Sequence, residues 1–166
     1  MGLPDMPPLP VAATEAYLQY SDGTGRRVYF TDTEVPFPEG RLIVSRTDLQ
    51  GLITHANDAF VEMSGYAREE IIGAPHHILR HPDMPRLAFK GLWDTLTSGQ
   101  KWHGYVKNLR KDGAYYWVYA TAVPNIRNGV IAGYTSVRRK PSRTRIAELS
   151  ALYAQWLQAE TAAPCP

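Results

Sequence analysis

Residues 102–139 read WHGYVKNLRKDGAYYWVYATAVPNIRNGVIAGYTSVRR: three runs rich in aromatic and β-branched residues, divided by Asp112-Gly113 and Asn128-Gly129. Aromatic and β-branched side chains suit a pleated, half-buried surface, and Asp-Gly and Asn-Gly supply the positive φ angles of tight hairpins. The spacing predicts strands over 102–110, 115–125 and 130–139, joined as an antiparallel meander. Side chains alternate along a strand, so Trp102, Gly104, Val106 and Asn108 share one face. A three-residue loop at 112–114 puts Tyr116, Val118, Ala120 and Ala122 on that same face. If the face is inward, Asn108 is a buried amide in need of partners, and the edge of a heterocyclic ligand offers donor and acceptor together. The alanines leave room beside it.

Working outward, residues 42–45 and 52–56 read as two short strands joined across Asp48-Leu49-Gln50-Gly51. Asn57 can cap a helix over 58–64 that Gly65 ends, and a second short helix over 67–72 stops before Gly73. Asp83 and Pro85 precede an amphipathic stretch with Phe89, Leu92, Trp93 and Leu96 at helical spacing, closed by Gly99. A last helix over 143–157 aligns Ile146, Leu149, Leu152, Tyr153 and Trp156, a stripe that needs a surface to cover, either its own sheet or another chain. Two strands, several short helices and a three-strand meander make an α+β domain, with a five-stranded antiparallel sheet and short helices on one face. Residues 1–26, rich in Pro, Gly and Asp, read as a loose extension with a helical turn, and the folded core is expected to begin near residue 41. The chain thus divides into an extension and cap (1–40), the domain (41–140), and a helix with tail (141–166).

A chain of 166 residues suits one domain with one core. A formal charge of +2, with 20% charged residues, gives no basic excess of the kind that nucleic acid selects. No stretch approaches the roughly 18 apolar residues of a membrane helix, and the N-terminus lacks a basic start followed by an apolar run, so a cytoplasmic location is expected. The single cysteine, Cys165, lies next to the C-terminus. It leaves no internal disulfide, CxxC pair or buried thiol nucleophile.

The densest polar cluster, His76 to Asp83, puts three histidines, Arg80 and a carboxylate into eight residues. Zinc requires about four ligands in tetrahedral array, and neither a nearby cysteine nor HExxH spacing is present. Two readings stand. The cluster is a polar surface loop leading into the helix at Pro85, or Arg80 and His81 donate to an anionic or polar ligand while Asp83 fixes the loop through the helix N-terminus. Similarly, small residues on the sheet opposed by Phe89, Trp93 and Trp102 describe either a slot for a flat aromatic cofactor or an ordinary packed core. No Ser/His/Asp set, phosphate-binding glycine loop or carboxylate pair supports catalysis, so a non-enzymatic protein is expected.

Several motifs together are recognisable: Thr47-Asp48-Leu49, Ile53-Thr54-His55-Ala56-Asn57-Asp58, Ser64-Gly65-Tyr66, Arg80-His81-Pro82-Asp83-Met84-Pro85, Val106-Lys107-Asn108, Tyr116-Trp117-Val118 and Gly133-Tyr134. From about residue 34 to 139 the chain resembles the PAS domain of bacterial aerotaxis receptors, the Arg-His-Pro-Asp-Met-Pro run being the most specific feature. The resemblance implies a PAS fold that binds FAD non-covalently and signals the flavin's redox state, and through it oxygen or energy status, to a partner protein. It implies that Arg80, His81 and Asp83 retain FAD, that Trp93, Trp102, Asn108 and Tyr116 line the pocket, and that Asn57 and Phe89 affect signalling.

Strand alternation by itself does not choose flavin over haem. A haem sensor would draw its axial ligand from His76, His77, His81 or His103. The light-sensing LOV class needs a cysteine where this chain holds His76, so adduct photochemistry is not expected. A cofactor-free interaction module, paired as a homodimer through the sheet or terminal helices, is the remaining alternative, with Tyr105, Tyr119, Leu149 and Trp156 as its surface. Full aerotaxis receptors continue into membrane, HAMP and signalling segments that are not in this sequence, and its extended ends suggest a stand-alone sensor.

Overall fold

The computed structural model describes residues 2–162, which leaves Cys165 outside the described residues. In chain order the elements are β1 (Thr14–Gln19), β2 (Gly25–Phe30), β3 (Ile43–Thr47), β4 (Ile53–Ala56), α1 (Asp58–Ser64) and α2 (Arg68–Ile71). There follow a 3-10 turn (His76–Leu79), α3 (Arg86–Thr97), β5 (Trp102–Leu109), β6 (Tyr115–Arg127), β7 (Val130–Arg139) and α4 (Arg143–Ala162). The meander forms as alternation predicts, with Asn108 opposite Tyr116, Gly104 opposite Ala120, and Ala122 opposite Ser136. Its first loop is Lys111–Gly113 rather than 112–114, because Arg110 N donates to Ala114 O at 2.8 Å. That moves the pairing by two residues, an even step, so the facing of every side chain is preserved.

The five-stranded antiparallel sheet has the order β4-β3-β7-β6-β5. Strands β3 and β7, far apart in sequence, lie side by side with Ile43 opposite Arg138 and Ser45 opposite Ser136. Asn57 explains how α1 is seated. Its Oδ1 accepts from Phe60 N (3.0 Å) and Val44 N (3.1 Å), while Nδ2 donates to Leu42 O (2.8 Å). One side chain thus caps a helix and fastens it to the sheet. The short helices cover one sheet face around Phe60, Ile53, Ile71, Leu79, Tyr116 and Val118.

The N-terminal segment differs from expectation. Among its described residues there is no helical turn; β1 and β2 form an antiparallel hairpin with Thr14 opposite Phe30 and Gln19 opposite Gly25. Asp22 Oδ1 accepts from Thr24 N at 2.8 Å, and Gly23 takes φ 87° in the turn. The core therefore starts well before residue 41. Val28 and Met6 pack with Leu109 of β5, and buried Arg26 donates to Ile78 O at 2.9 Å and to the Tyr66 hydroxyl at 3.3 Å. An arginine used as a core donor hides the inward face of β2 from a hydrophobicity count.

Gly113 is where hairpin and sheet meet. It has φ +85°, its O accepts from Thr31 N at 2.8 Å, and an added Cβ would fall 2.3 Å from Leu9 Cδ1 and 3.4 Å from Tyr29 O. Gly113→Val is expected to cost about 1–3 kcal/mol. The loss should appear as a lower thermal midpoint and as faster proteolytic cleavage near residues 20–24; unchanged cleavage there would show that the hairpin is not held through this loop.

Helix α4 is longer than the predicted 143–157 and passes around the edge strand β5. Ile146 and Tyr153 are buried with Trp117 and Met84, and the Tyr153 hydroxyl donates to Tyr105 O at 2.7 Å. Its far end reaches α3, where Glu160 accepts from Leu87 N (2.9 Å) and Arg86 N (3.1 Å). A carboxylate at a helix N-terminus satisfies free amides and complements the helix dipole.

Candidate functional site

Between α3 and the inner face of β5–β7 lies a slot lined by Phe89, Leu92, Trp93 and Leu96 on one side and Trp102, Val106, Asn108, Ala120 and Ala122 on the other. Trp102 can lie along the sheet because Gly104 has no side chain, where a Cβ would sit 2.3 Å from its ring. Space not filled by protein atoms measures about 770 Å³, with solvent at the mouth included, of which about 70 Å³ admits the centre of a water molecule. Because the first figure includes open solvent, the second is the one to set against small-molecule sites of about 300–1,000 Å³, and it lies well below them. The second makes it a narrow slot rather than a chamber.

Five of the nine expected residues line this slot: Arg80, Phe89, Trp93, Trp102 and Asn108. An antiparallel bridge between Arg80 and Asn108 ties the loop to β5. The Arg80 guanidinium stands 5.0 Å from the centre of the Phe89 ring, while its Nε is buried without a hydrogen bond among the described residues. Asn108 is buried opposite Tyr116 of β6, its side chain near enough to the Tyr116 hydroxyl to oppose the rise that burial gives that group's pKa. Thr47 Oγ1 and His77 Nε2, also in the wall, are buried and unbonded as Arg80 Nε is. Their residues line the slot, while the atoms themselves have almost no exposed surface.

The other four lie elsewhere. Asn57 caps α1. Tyr116 is fully buried among core side chains beside Asn108, and burial pushes its pKa up to about 12. His81 is buried on the hairpin side of its loop, edge-on to Phe30 and Tyr115, with Nδ1 accepting from Asp83 N at 3.0 Å. Asp83 pairs with Lys107 at 2.8 Å. It does not serve the N-terminus of α3, which Glu160 already occupies. The Arg-His-Pro-Asp run is thus a built loop in which His81 and Asp83 hold the backbone and Arg80 faces the slot.

Of the four histidines considered for a metal-centred ligand, His103 is on the opposite sheet face, stacked on Tyr119, and His81 is outside the slot. His77 lies under Tyr20, with ring centres 3.7 Å apart and planes 4° from parallel. His76 lines the slot with its ring 5.7 Å from that of Trp93. Burial is the main force holding both rings' pKa values down to about 4, with Arg138 adding to it at His76 and Asp22 opposing it at His77. Both are neutral at physiological pH. Among the described residues, no group of three or more His, Cys, Asp or Glu side chains is placed to hold a metal ion.

Alternation applied to β5 and β6 but not to β7 missed the rest of the floor. Tyr134, Ser136 and Arg138 oppose Pro124, Ala122 and Ala120, so they share the inward face, and an arginine there was the available signal. Beyond the mouth a wider cleft continues past His76, His77, Arg80, Phe89 and Trp93, walled by the hairpin turn Tyr20–Gly23 and by Arg86 and Lys90 of α3.

This sheet, with its helices on one face and a slot between them, defines a PAS-type sensor domain. The PAS fold family matches residues 53–138, and the chain belongs to it. It is similar to the aerotaxis receptor of Escherichia coli (strain K12), at 49% identity over 125 residues, covering 75% of this chain and 25% of that protein. It is also similar to the nitrogen fixation regulatory protein of Klebsiella pneumoniae, at 28% identity over 132 residues, covering 79% of this chain and 25% of that protein. This chain spans about a quarter of the length of both relatives. The light-state structure of the Aureochrome1 LOV photoreceptor superposes with a TM-score of 0.56 at 22% identity, covering 74% of this chain and 91% of that one. That likeness concerns the fold. Among the described residues no helix is long and apolar enough to cross a membrane.

Proposed function

We propose that this domain binds a flavin, FAD, and reports its redox state, and with it oxygen or energy status, to a signalling partner in the cytoplasm. The observation that carries the reading is the slot itself, whose largely apolar walls carry Arg80 and Asn108, with Arg80 Nε unbonded among the described residues. A planar heterocycle with a hydrogen-bonding edge fits that combination. When bound, a flavin supplies reversible uptake of electrons. Phe89, Trp93 and Trp102 would flank the ring system, and Asn108 would bond its edge. Arg80, Arg86 and Lys90 line the way into the outer cleft, where phosphates would meet positive charge. The cleft beyond the slot favours the dinucleotide over the shorter mononucleotide.

Serine and threonine hydroxyls and two histidines line the slot, but among the described residues no histidine is hydrogen-bonded to one of those hydroxyls as a nucleophile–base pair would be, which supports sensing rather than turnover. Helix α3 offers a route outward: it carries Phe89 and Trp93 at the slot, and its first amides are held by Glu160 of α4. A shift of α3 that follows the ligand's state would load or release that contact, altering how α4 docks.

An absorption spectrum of the purified protein, followed by acid release and chromatographic identification of the chromophore, tests the reading. Flavin bands and released FAD are expected; a Soret band would replace flavin with haem on His76, and a colourless protein would leave the interaction module. Arg80→Ala removes a charge-assisted donor worth about 1.5–3 kcal/mol, so flavin affinity should fall about 10- to 100-fold. Unchanged retention would remove Arg80 from the site.

A further inference from the structure

Two guanidinium groups line the slot, those of Arg80 and Arg138, and none of the lining residues is Asp or Glu. Arg80 also belongs to the outer cleft. Arg138 does not; it rises from the central strand β7, in register with Ala120 on β6 and Ile43 on β3. Its one side-chain hydrogen bond among the described residues goes from Nη1 to the neutral hydroxyl of Ser45, at 3.0 Å, and its guanidinium stands 5.2 Å from the centre of the Phe60 ring. Arginine presents five donors and a permanent charge. Holding that charge in a poorly solvated cavity without an anion is costly, and an apolar residue of similar volume would fill the position more cheaply. Burial lowers the pKa of Arg138, outweighing an opposing influence from Tyr116. A cation so placed is explained by something in the slot that carries or acquires negative charge.

We infer that Arg138 is the counter-charge for the negative charge that the slot's ligand gains on reduction, and so sets the potential at which the sensor switches. The inference rests on the flavin reading. Two electrons from an external donor, a reductase or quinol in the cell and dithionite oxidised to sulfite in vitro, arrive with one proton from solvent and leave one net negative charge on the bound ring system. Arg138 offsets that charge and does little for the neutral oxidised ring, so it favours reduction. The other titratable or charged groups around it are His76, His77 and Arg80 from the 3-10 turn and the residue after it, Tyr116 from β6 and Tyr134 from its own strand, whereas α3 turns Phe89, Leu92, Trp93 and Leu96 to the slot.

The test is anaerobic titration of wild type, Arg138→Gln and Arg138→Lys with oxidised FAD and with dithionite-reduced FAD. Arg138→Gln is expected to lower the preference for reduced over oxidised FAD at least tenfold, which is a midpoint about 30 mV more negative for a two-electron couple. Arg138→Lys should keep most of the preference. An unchanged ratio in Arg138→Gln overturns the inference while leaving the flavin reading intact. A wild type that binds no flavin in either state overturns both. A measurement on wild type alone guards against a variant that fails to fold: below the pH at which free reduced flavin ionises, reduction should take up one proton per two electrons. Uptake of two would show that no anion is held and would also overturn the inference.

Discussion

Ala120→Phe is expected to yield a folded protein that has lost its chromophore. Ala120 is almost fully buried on the floor of the slot, opposite Gly104 on one side and Arg138 on the other. A phenyl ring projecting from that Cβ would occupy the space between α3 and the sheet, where a planar ligand would lie. Because the slot already contains unfilled volume, the cost to the fold should stay within the roughly 1–3 kcal/mol of an overpacked core. Excluding the ligand's ring system should cost more than about 3 kcal/mol of binding, a loss of at least about a hundredfold. The expected outcome is a cooperative thermal transition together with an absorption spectrum free of flavin bands. Full retention of flavin would place the ligand elsewhere. Ala122→Phe, one step further along the same face, is a second variant should the first fail to fold.

Acidification should destabilise the protein by several kcal/mol in a window set by its buried histidines. His76, His77 and His81 have pKa values held down to about 4, in each case mainly by burial, with Lys107 reinforcing this and Asp83 opposing it at His81. In the unfolded chain these rings titrate near 6.5. Above that pH neither state binds a proton on them. Between about 6.5 and 4 the unfolded state binds protons that the folded state refuses, so stability falls as pH falls through this window and levels off below it. One pKa unit corresponds to about 1.4 kcal/mol, so a fully buried ring contributes up to about 2 kcal/mol at about pH 5. His81 is in that position; His76 and His77 are partly exposed and contribute less, for a total of about 3–5 kcal/mol. Thermal midpoints measured from about pH 7.5 to about pH 5 should fall steadily. His77→Phe keeps the stack on Tyr20 while removing one proton site, and should flatten the slope. A midpoint that does not move over this range would show that the three rings ionise without disturbing the fold.

The elements differed in how much of them was legible beforehand. The meander was readable because alternation is a property of the backbone at each residue, and its even-numbered inward face on β5 and β6 survived a loop misplaced by one position. Asn57 was readable as a cap from its place before an amphipathic run, but its second bond to Val44 N depends on β3 lying alongside. The hairpin β1–β2 carried its own signal, Asp22-Gly23 between alternating runs, and was masked by proline-rich flanks and by Arg26 on the inward side. His81 and Asp83, grouped with Arg80 by sequence, separate in space because successive residues of an irregular loop need not face the same way. Arg80 turns to the slot while His81 turns to the hairpin.

The sequence by itself determined the α+β class, the five strands of the main sheet, and the face of β5 and β6 on which a slot could form. Only the tertiary structure decided that β7 lies between β3 and β6, which brings Arg138 beside Ser45 and Ala120. It also decided that Glu160 of the last helix closes the first turn of α3. Local period fixes which way a side chain points relative to its own strand or helix. Which elements become neighbours, and therefore which inward side chains meet, depends on how the whole chain buries its apolar surface and satisfies its backbone, and that is settled between residues about ninety positions apart, as Ser45 and Arg138 are.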